Sequence, residues 1–223
     1  MSKSDKNLGQ QVNEHLKSLG IHTPVIQERL QVDAETKIDL IEGHMKEILE
    51  ILGLDLSDDS LMETPRRVAK MYVNEIFNGL IDDTFPKCTT VENKFSGEED
   101  FVLEKNITLY SDCEHHIRPI IGTAAIAYIP KDKVLGLSKL NRIVQYFAKR
   151  PQVQERLTQQ IAAAIAYVTG SDDVVVRVDA KHMCVSQRGI KDASSSTITM
   201  KAMGAFEKNG GLRSEFVRNV IGH

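Results

Sequence analysis

The feature that most constrains this chain is a change of hydrophobic period close to residue 100. Before it, Ile38, Ile41, Met45, Ile48, Leu49 and Leu52 form one stripe at helical spacing, and Val68, Met71, Tyr72 and Ile76 form another. After it, strand patterns at 101–109 and 122–129 are followed by two long helical patterns, at 138–149 and 152–169, split by Arg150-Pro151. Residues 174–178 then alternate into a strand reaching Cys184, 196–203 reads as another strand, and 213–220 as a short terminal helix. This order predicts an α+β domain, an antiparallel four-stranded sheet with two long helices on one face. A helical arm precedes it. Residues 81–100 mix turn formers and charge, so the boundary is set between a helical region at 1–95 and a domain at 96–223.

The helix ends follow from local chemistry. A weak stretch at 11–19 is stopped by Gly20, and Asp33 and Gly53 bracket the next helix. Thr64 is expected to cap the third, with Pro65 at the first position, where its missing N–H costs nothing. The mass, 24.9 kDa, gives an expected folded surface of ~10,000 Å². With 28 Lys+Arg against 31 Asp+Glu the net charge is −3, which excludes a globally basic nucleic-acid binder. No apolar run approaches the ~20 residues of a membrane helix, and the first eleven residues hold no apolar signal centre. The expectation is a cytoplasmic protein that binds neither membrane nor nucleic acid. Three cysteines, Cys88, Cys113 and Cys184, do not make a disulfide framework, and in a reducing compartment such thiols are buried, catalytic or metal-bound.

Two of those thiols lie in the sharpest cluster, Cys113-Glu114-His115-His116 with His182-Met183-Cys184. A spacing of three puts Cys113 and His116 on one side of a turn. A spacing of two in a strand points His182 and Cys184 to one face. Thiolate and imidazole suit zinc. Cys113, His116 and Cys184 supply three ligands, leaving a fourth position for water, and His115 and His182 stand beside them. Cys88 as a fourth ligand would instead make a closed structural clamp. A second cluster is basic. Ser138 is expected to cap the helix bearing Lys139 and Arg142, whose N-terminus attracts phosphate, and Arg188 adds a cation four residues after Cys184. A solvated basic face is the plain alternative. Third, Gln154-Glu155 opens the second long helix, where a buried carboxylate can accept two parallel bonds from an N–H/N–H edge such as guanine's. Arg67 and Lys70 are a weaker pair that ordinary helix-surface charge also explains.

These residues resemble a known family. C-E-H-H at 113–116 with the preceding E-K-N-I-T-L-Y-S-D, S-K-L-N-R at 138–142, R-P-Q-V-Q-E-R-L-T at 150–158 and H-M-C-V-S-Q-R-G at 182–189 are similar to GTP cyclohydrolase I. So is L-M-E-T-P-R-R-V-A-K-M-Y at 61–72, and the similarity runs from about Leu40 to the C-terminus. The resemblance implies a tunnelling fold in which subunits pair their sheets into a barrel, commonly as a ring-shaped homodecamer. It implies hydrolysis of GTP to 7,8-dihydroneopterin triphosphate and formate, the entry to folate or biopterin synthesis.

Site roles carry over position by position. Zinc falls to Cys113, His116 and Cys184, acid/base work to His115 and His182 with Ser138 near the sugar. Triphosphate falls to Ser138, Lys139, Arg142 and Arg188, guanine reading to Gln154 and Glu155. The resemblance extends the phosphate contacts to Arg67 and Lys70 from a neighbouring subunit. Ser186 and Gln187 receive no role. Two rivals use the same residues: a binding module stapled by a structural zinc, and another pterin or deazapurine enzyme. Glu155 together with the cations favours a purine nucleoside triphosphate over the latter.

Overall fold

The computed structural model describes residues 3–94 and 100–222, so the expected boundary between 95 and 96 lies outside the described residues. The N-terminal part runs α1 (Lys6–Ser18), α2 (Gln27–Leu30), α3 (Ala34–Ile51) and α4 (Thr64–Met71), continued by a π-helical turn at Tyr72–Ile76. The rest runs β1 (Thr90–Glu92), β2 (Val102–Cys113), β3 (Pro119–Tyr128), β4 (Lys133–Leu135), α5 (Leu137–Ala148), β5 (Pro151–Gln152) and α6 (Gln154–Thr169). It ends with β6 (Val174–His182), α7 (Met183–Ser186), β7 (Thr197–Ala202), α8 (Ala205–Lys208) and α9 (Gly210–Ile221).

The central sheet has the order β5-β2-β3-β6-β7. Four of its strands are antiparallel neighbours, as the period change implies. The fifth, β5, is a parallel two-residue addition, with Asp112 opposite Pro151 and Cys113 opposite Gln152. A Pro-Gln pair has no period to read, and its pairing displaces the start of α6 from Gln152 to Gln154. The small β1–β4 ladder was equally illegible, in residues that read as turn.

Several expected ends shift. The first helix starts at Lys6, not Gln11, because the Asp5 carboxylate accepts from Leu8 N–H at 3.1 Å. Asp33 does cap α3, accepting from Thr36 N–H at 3.0 Å. Thr64 lies inside α4 and Ser138 inside α5; the cap positions belong to Glu63 and Gly136, neither with a side-chain bond. The strand expected to reach Cys184 stops at His182, and Cys184 sits in the helical turn α7.

Helices α5 and α6 cover one face of the sheet. Leu140, Ile143, Phe147, Leu157, Ile161 and Ile165 pack there against Ile107, Leu109, Ile126, Val176 and Val178, all buried. Burial at ~25 cal/mol per Å² of apolar area is the main force holding this layer. On the other face, α8 and α9 cover one end through Phe206 and Phe216 against Ala125, Ala127 and Val175. Helix α1 belongs to the main core, since Val12 and Leu16 are fully buried in it. Arg150 holds α1 there: its Nε donates to Gly79 O at 2.7 Å and its Nη2 to Asn13 Oδ1 at 3.1 Å. The guanidinium also stacks over Tyr146 and Phe147, 4.6 and 4.7 Å from the ring centres, which suits a weakly hydrated cation in a buried setting.

By contrast, α3 and α4 form an outlying hairpin clamped by Arg66, which pairs with Glu35, with Asp39 at 3.0 Å and with Glu42 at 2.6 Å. Only Ile38 of α3 is buried, and Leu40, Ile48, Ile51 and Leu52 are exposed.

Gly122 of β3 lies against Asp179 and Ala180 of β6. A methyl there would sit 2.5 Å from Ala180 Cα and run into the Asp179 carbonyl oxygen. Gly122→Ala should therefore destabilise the fold by about 1–3 kcal/mol, the usual cost of overpacking. Thermal unfolding checks this, and an unchanged midpoint would refute the close-approach argument.

Candidate metal and nucleotide site

The ladder brings three chain segments to one end of the sheet. Asp112 pairs with Pro119 and Ile120 with His182, so the end of β2, the start of β3 and the end of β6 are neighbours. The turn after β2 is closed by Cys113 N–H to Arg118 O at 2.9 Å and Ile117 N–H to Cys113 O at 2.8 Å. It forces Ile117 into the left-handed region at φ 49°, a strained conformation for a β-branched residue. Within this corner, ligand atoms of Cys113, His116 and Cys184 all lie within 4.8 Å of one another. Cys113 is buried, Cys184 half-buried and His116 exposed, so the trio opens to solvent on the histidine side. Two thiols and one imidazole of this spread fit a tetrahedral metal with one position left. The expectation that two strand residues carry His182 and Cys184 on one face is replaced by a strand end and a helical turn.

Burial and the neighbouring Cys113 push the Cys184 thiol up from its ordinary range. A bound cation reverses that balance, because thiolate is the ligating form. His115 stands beside the trio, its Nδ1 3.7 Å from Cys113 Sγ. Arg188 Nη1 donates to His116 Nε2 at 3.0 Å. His182 is half-buried, and burial lowers its pKa against the opposing pull of Glu155. Gln154 is buried and its Oε1 lies 2.8 Å from His182 Nε2. Glu155 is exposed at the N-terminal end of α6, where a carboxylate is stabilised by the free backbone N–H groups.

Cys88 is not part of this group. Its thiol donates to Pro86 O at 3.4 Å, and burial pushes its pKa up to about 11. The closed clamp is therefore excluded in this arrangement.

The basic cluster also lies elsewhere in the chain. Asn141 Nδ2 donates to Glu104 Oε1 at 3.1 Å near the start of β2, whereas Ser111, near its end, reaches Arg150 O at 3.5 Å. At 1.5 Å per residue the 12-residue helix α5 spans ~18 Å, so Ser138 and Lys139 are about that far from the trio's end of the sheet. Arg142 faces a separate cavity of about 370 Å³ with Lys3, Asp83 and Lys149. Arg67 and Lys70 are exposed on α4. Of the expected phosphate cations, Arg188 alone reaches the trio within one chain.

Two residues that the spacing did not single out hold the ligand turn. Arg156 of α6 pairs with Glu114, and also donates from Nε to Gln152 Oε1 at 3.2 Å and from Nη2 to Pro151 O at 3.1 Å. Glu114 N–H donates to Gln152 O at 3.0 Å. The only sequence signal was an acid inside the ligand motif and a base near a helix start.

With this geometry in place, comparison with known proteins is decisive. The profile of the family described as GTP cyclohydrolase I matches residues 41–221. The chain is 54% identical over 212 residues, 95% of both chains, to proteins named GTP cyclohydrolase 1 from Klebsiella pneumoniae and Citrobacter koseri. One from Escherichia coli O1:K1 is equally similar, at 54% over 95% of each chain. The chain belongs to the GTP cyclohydrolase I family. Both halves of the metal trio and the start of α6 fall inside the GTP cyclohydrolase I match, whereas α1 precedes it. The similarity to the three relatives extends beyond it, over 212 residues.

Partners that orient metal ligands commonly tune affinity by 10–100-fold. Arg156→Met should therefore weaken metal binding by roughly 10–100-fold while secondary structure is kept. Competition with a chromophoric chelator measures this, and wild-type affinity would show that the Glu114 pair does not position the turn.

Proposed function

We propose that this chain hydrolyses GTP to 7,8-dihydroneopterin triphosphate and formate, the first step of pterin and folate synthesis, in the cytoplasm. The observation that carries the reading is the meeting of Cys113, His116 and Cys184 within 4.8 Å, beside His182 and the start of α6, in a chain of this family. The donor set fits zinc, and zinc bound there would supply Lewis acidity near neutral pH.

The chain's own residues do the rest. Glu155, exposed and anionic, accepts from the N1–H and 2-amino edge of guanine and so turns the five-membered ring toward the trio. His182 donates a proton to N7, which makes carbon 8 a better electrophile for water. Hydrolysis of that ring releases carbon 8 as formate. His115 and Ser138 move protons during ribose opening and closure of the six-membered ring. Arg188, Lys139 and Arg142 hold the triphosphate, with Arg67 and Lys70 beside it. A net charge of −3 is compatible with this, because the local field governs binding.

Ser138 and Lys139 stand ~18 Å from the trio's end of the sheet, and Arg142 faces a cavity that the trio does not line. We therefore propose a ring-shaped homo-oligomer, a decamer, in which the tunnelling fold of residues 96–223 pairs with its neighbours and the helical region 1–95 packs around it. Two observations support an assembly. The isolated chain exposes 12458 Å², against ~10,000 Å² expected from its mass. Among the exposed large apolar residues, four lie on α3 (Leu40, Ile48, Ile51, Leu52) and four on the open sheet face (Tyr110, Ile121, Ile198, Met200).

Incubation with GTP should yield formate together with a pterin that fluoresces after oxidation; absence of both from zinc-loaded protein would overturn the reading. The shared site has its own test. Cys184→Ala and Arg142→Ala should each be nearly inactive alone. Exchange of their subunits should restore part of the activity, since some mixed interfaces regain a complete site. No recovery in verified mixed oligomers would place the phosphate cations elsewhere.

A further inference from the structure

Gln154 is expected to read guanine with Glu155, yet its amide is fully engaged. The residue is 1% exposed. Its Nε2 donates to Thr197 O at 2.8 Å and Val178 O at 3.3 Å, with Thr199 Oγ1 at 3.2 Å. Two of these three partners are backbone carbonyls, which only accept, so the amide nitrogen must point at them. A flipped amide would set its oxygen against both. The orientation follows from the network, and it leaves Oε1 facing His182 Nε2 at 2.8 Å. That oxygen accepts, so Nε2 of the imidazole carries a hydrogen whether the ring is neutral or charged.

The frame around this contact is rigid. Thr158 Oγ1 donates to Gln154 O at 2.8 Å and meets Thr199 Oγ1 at 2.6 Å, tying α6 to β7 beside the amide. Val178 lies four residues before His182 in β6, so strand and imidazole are fixed to the same group. We propose that Gln154 is a positioning residue: it fixes the His182 ring through its Nε2–H and makes no contact with the purine. This rests on the proposed GTP hydrolysis and narrows it, leaving base recognition to Glu155.

The two roles separate kinetically. A positioning residue acts in the transition state and changes kcat; a base reader changes substrate affinity. Gln154→Asn keeps a buried amide but draws it back from the imidazole, and Gln154→Met keeps the volume without either bond. Both are compared as full-length, zinc-loaded protein. General acid catalysis contributes about 100- to 10,000-fold, so a misplaced acid should lower kcat at least ~10-fold, with KM within about twofold. In a His182→Ala background, which removes the partner, adding Gln154→Asn should leave the dissociation constant for GTP unchanged. A rise of ~10-fold or more in KM or in that dissociation constant would restore the base-reading role. Wild-type kinetics in Gln154→Asn would also overturn the proposal, as would a loss of kcat that merely tracks loss of folded, metal-loaded protein in both variants. Wild-type protein that makes no formate from GTP would instead remove the underlying reading, and this inference with it.

Discussion

The register of the central ladder governs everything at the site. Because Asp112 lies opposite Pro119 and Ile120 opposite His182, three strand ends and the turn joining two of them share one corner of the sheet. A slip of one residue would turn every side chain to the opposite face and carry the Cys113 thiol away from the helix side. Register is held by what lies beneath: Leu109, Ile120, Ile126, Val176 and Val178 are fully buried under α5 and α6. Packing of an apolar layer thus fixes the position of a polar site about which it carries no chemical information.

Around that corner the chain uses buried polar groups as fasteners. Gln152 donates to Phe147 O at 2.9 Å and to Gln160 Oε1 at 2.8 Å, and Gln160 reaches Ile21 O at 2.8 Å. Arg156 grips the ligand turn, Gln154 the imidazole, and Arg150 the first helix. Each of these side chains is partnered, and a buried amide or guanidinium that loses its partner costs about 1–3 kcal/mol or more. The start of α6 consequently behaves as a frame to which the turn at 113–118, the His182 imidazole and the first helix are all attached.

Much of this was legible in the sequence. The α3 helix matches the expected stripe closely because Asp33 caps it and its apolar spacing is regular. The four main strands and two long helices follow from period alone. The boundaries that moved did so for tertiary reasons. Pro151 and Gln152 became a strand only because the edge of β2 was free to pair with them. Cys184 left the strand because the chain turns helical directly after His182. The expectation for Gln154 is guanine reading with Glu155, and nothing in its neighbours along the chain signals the carbonyls of Thr197 and Val178 to which its amide donates.

Residue types and their local spacing therefore pointed to a group able to hold a metal, to most of the secondary structure and to the family, since ligand preference and hydrophobic period are properties of short stretches. Which cations share a site was decided in three dimensions. Helix α5 runs ~18 Å along the sheet, so Arg188 meets His116 while Ser138 and Lys139 stand at its far end and Arg142, midway along it, faces a separate cavity. Distance between elements depends on how they pack, and no spacing within a single stretch encodes it.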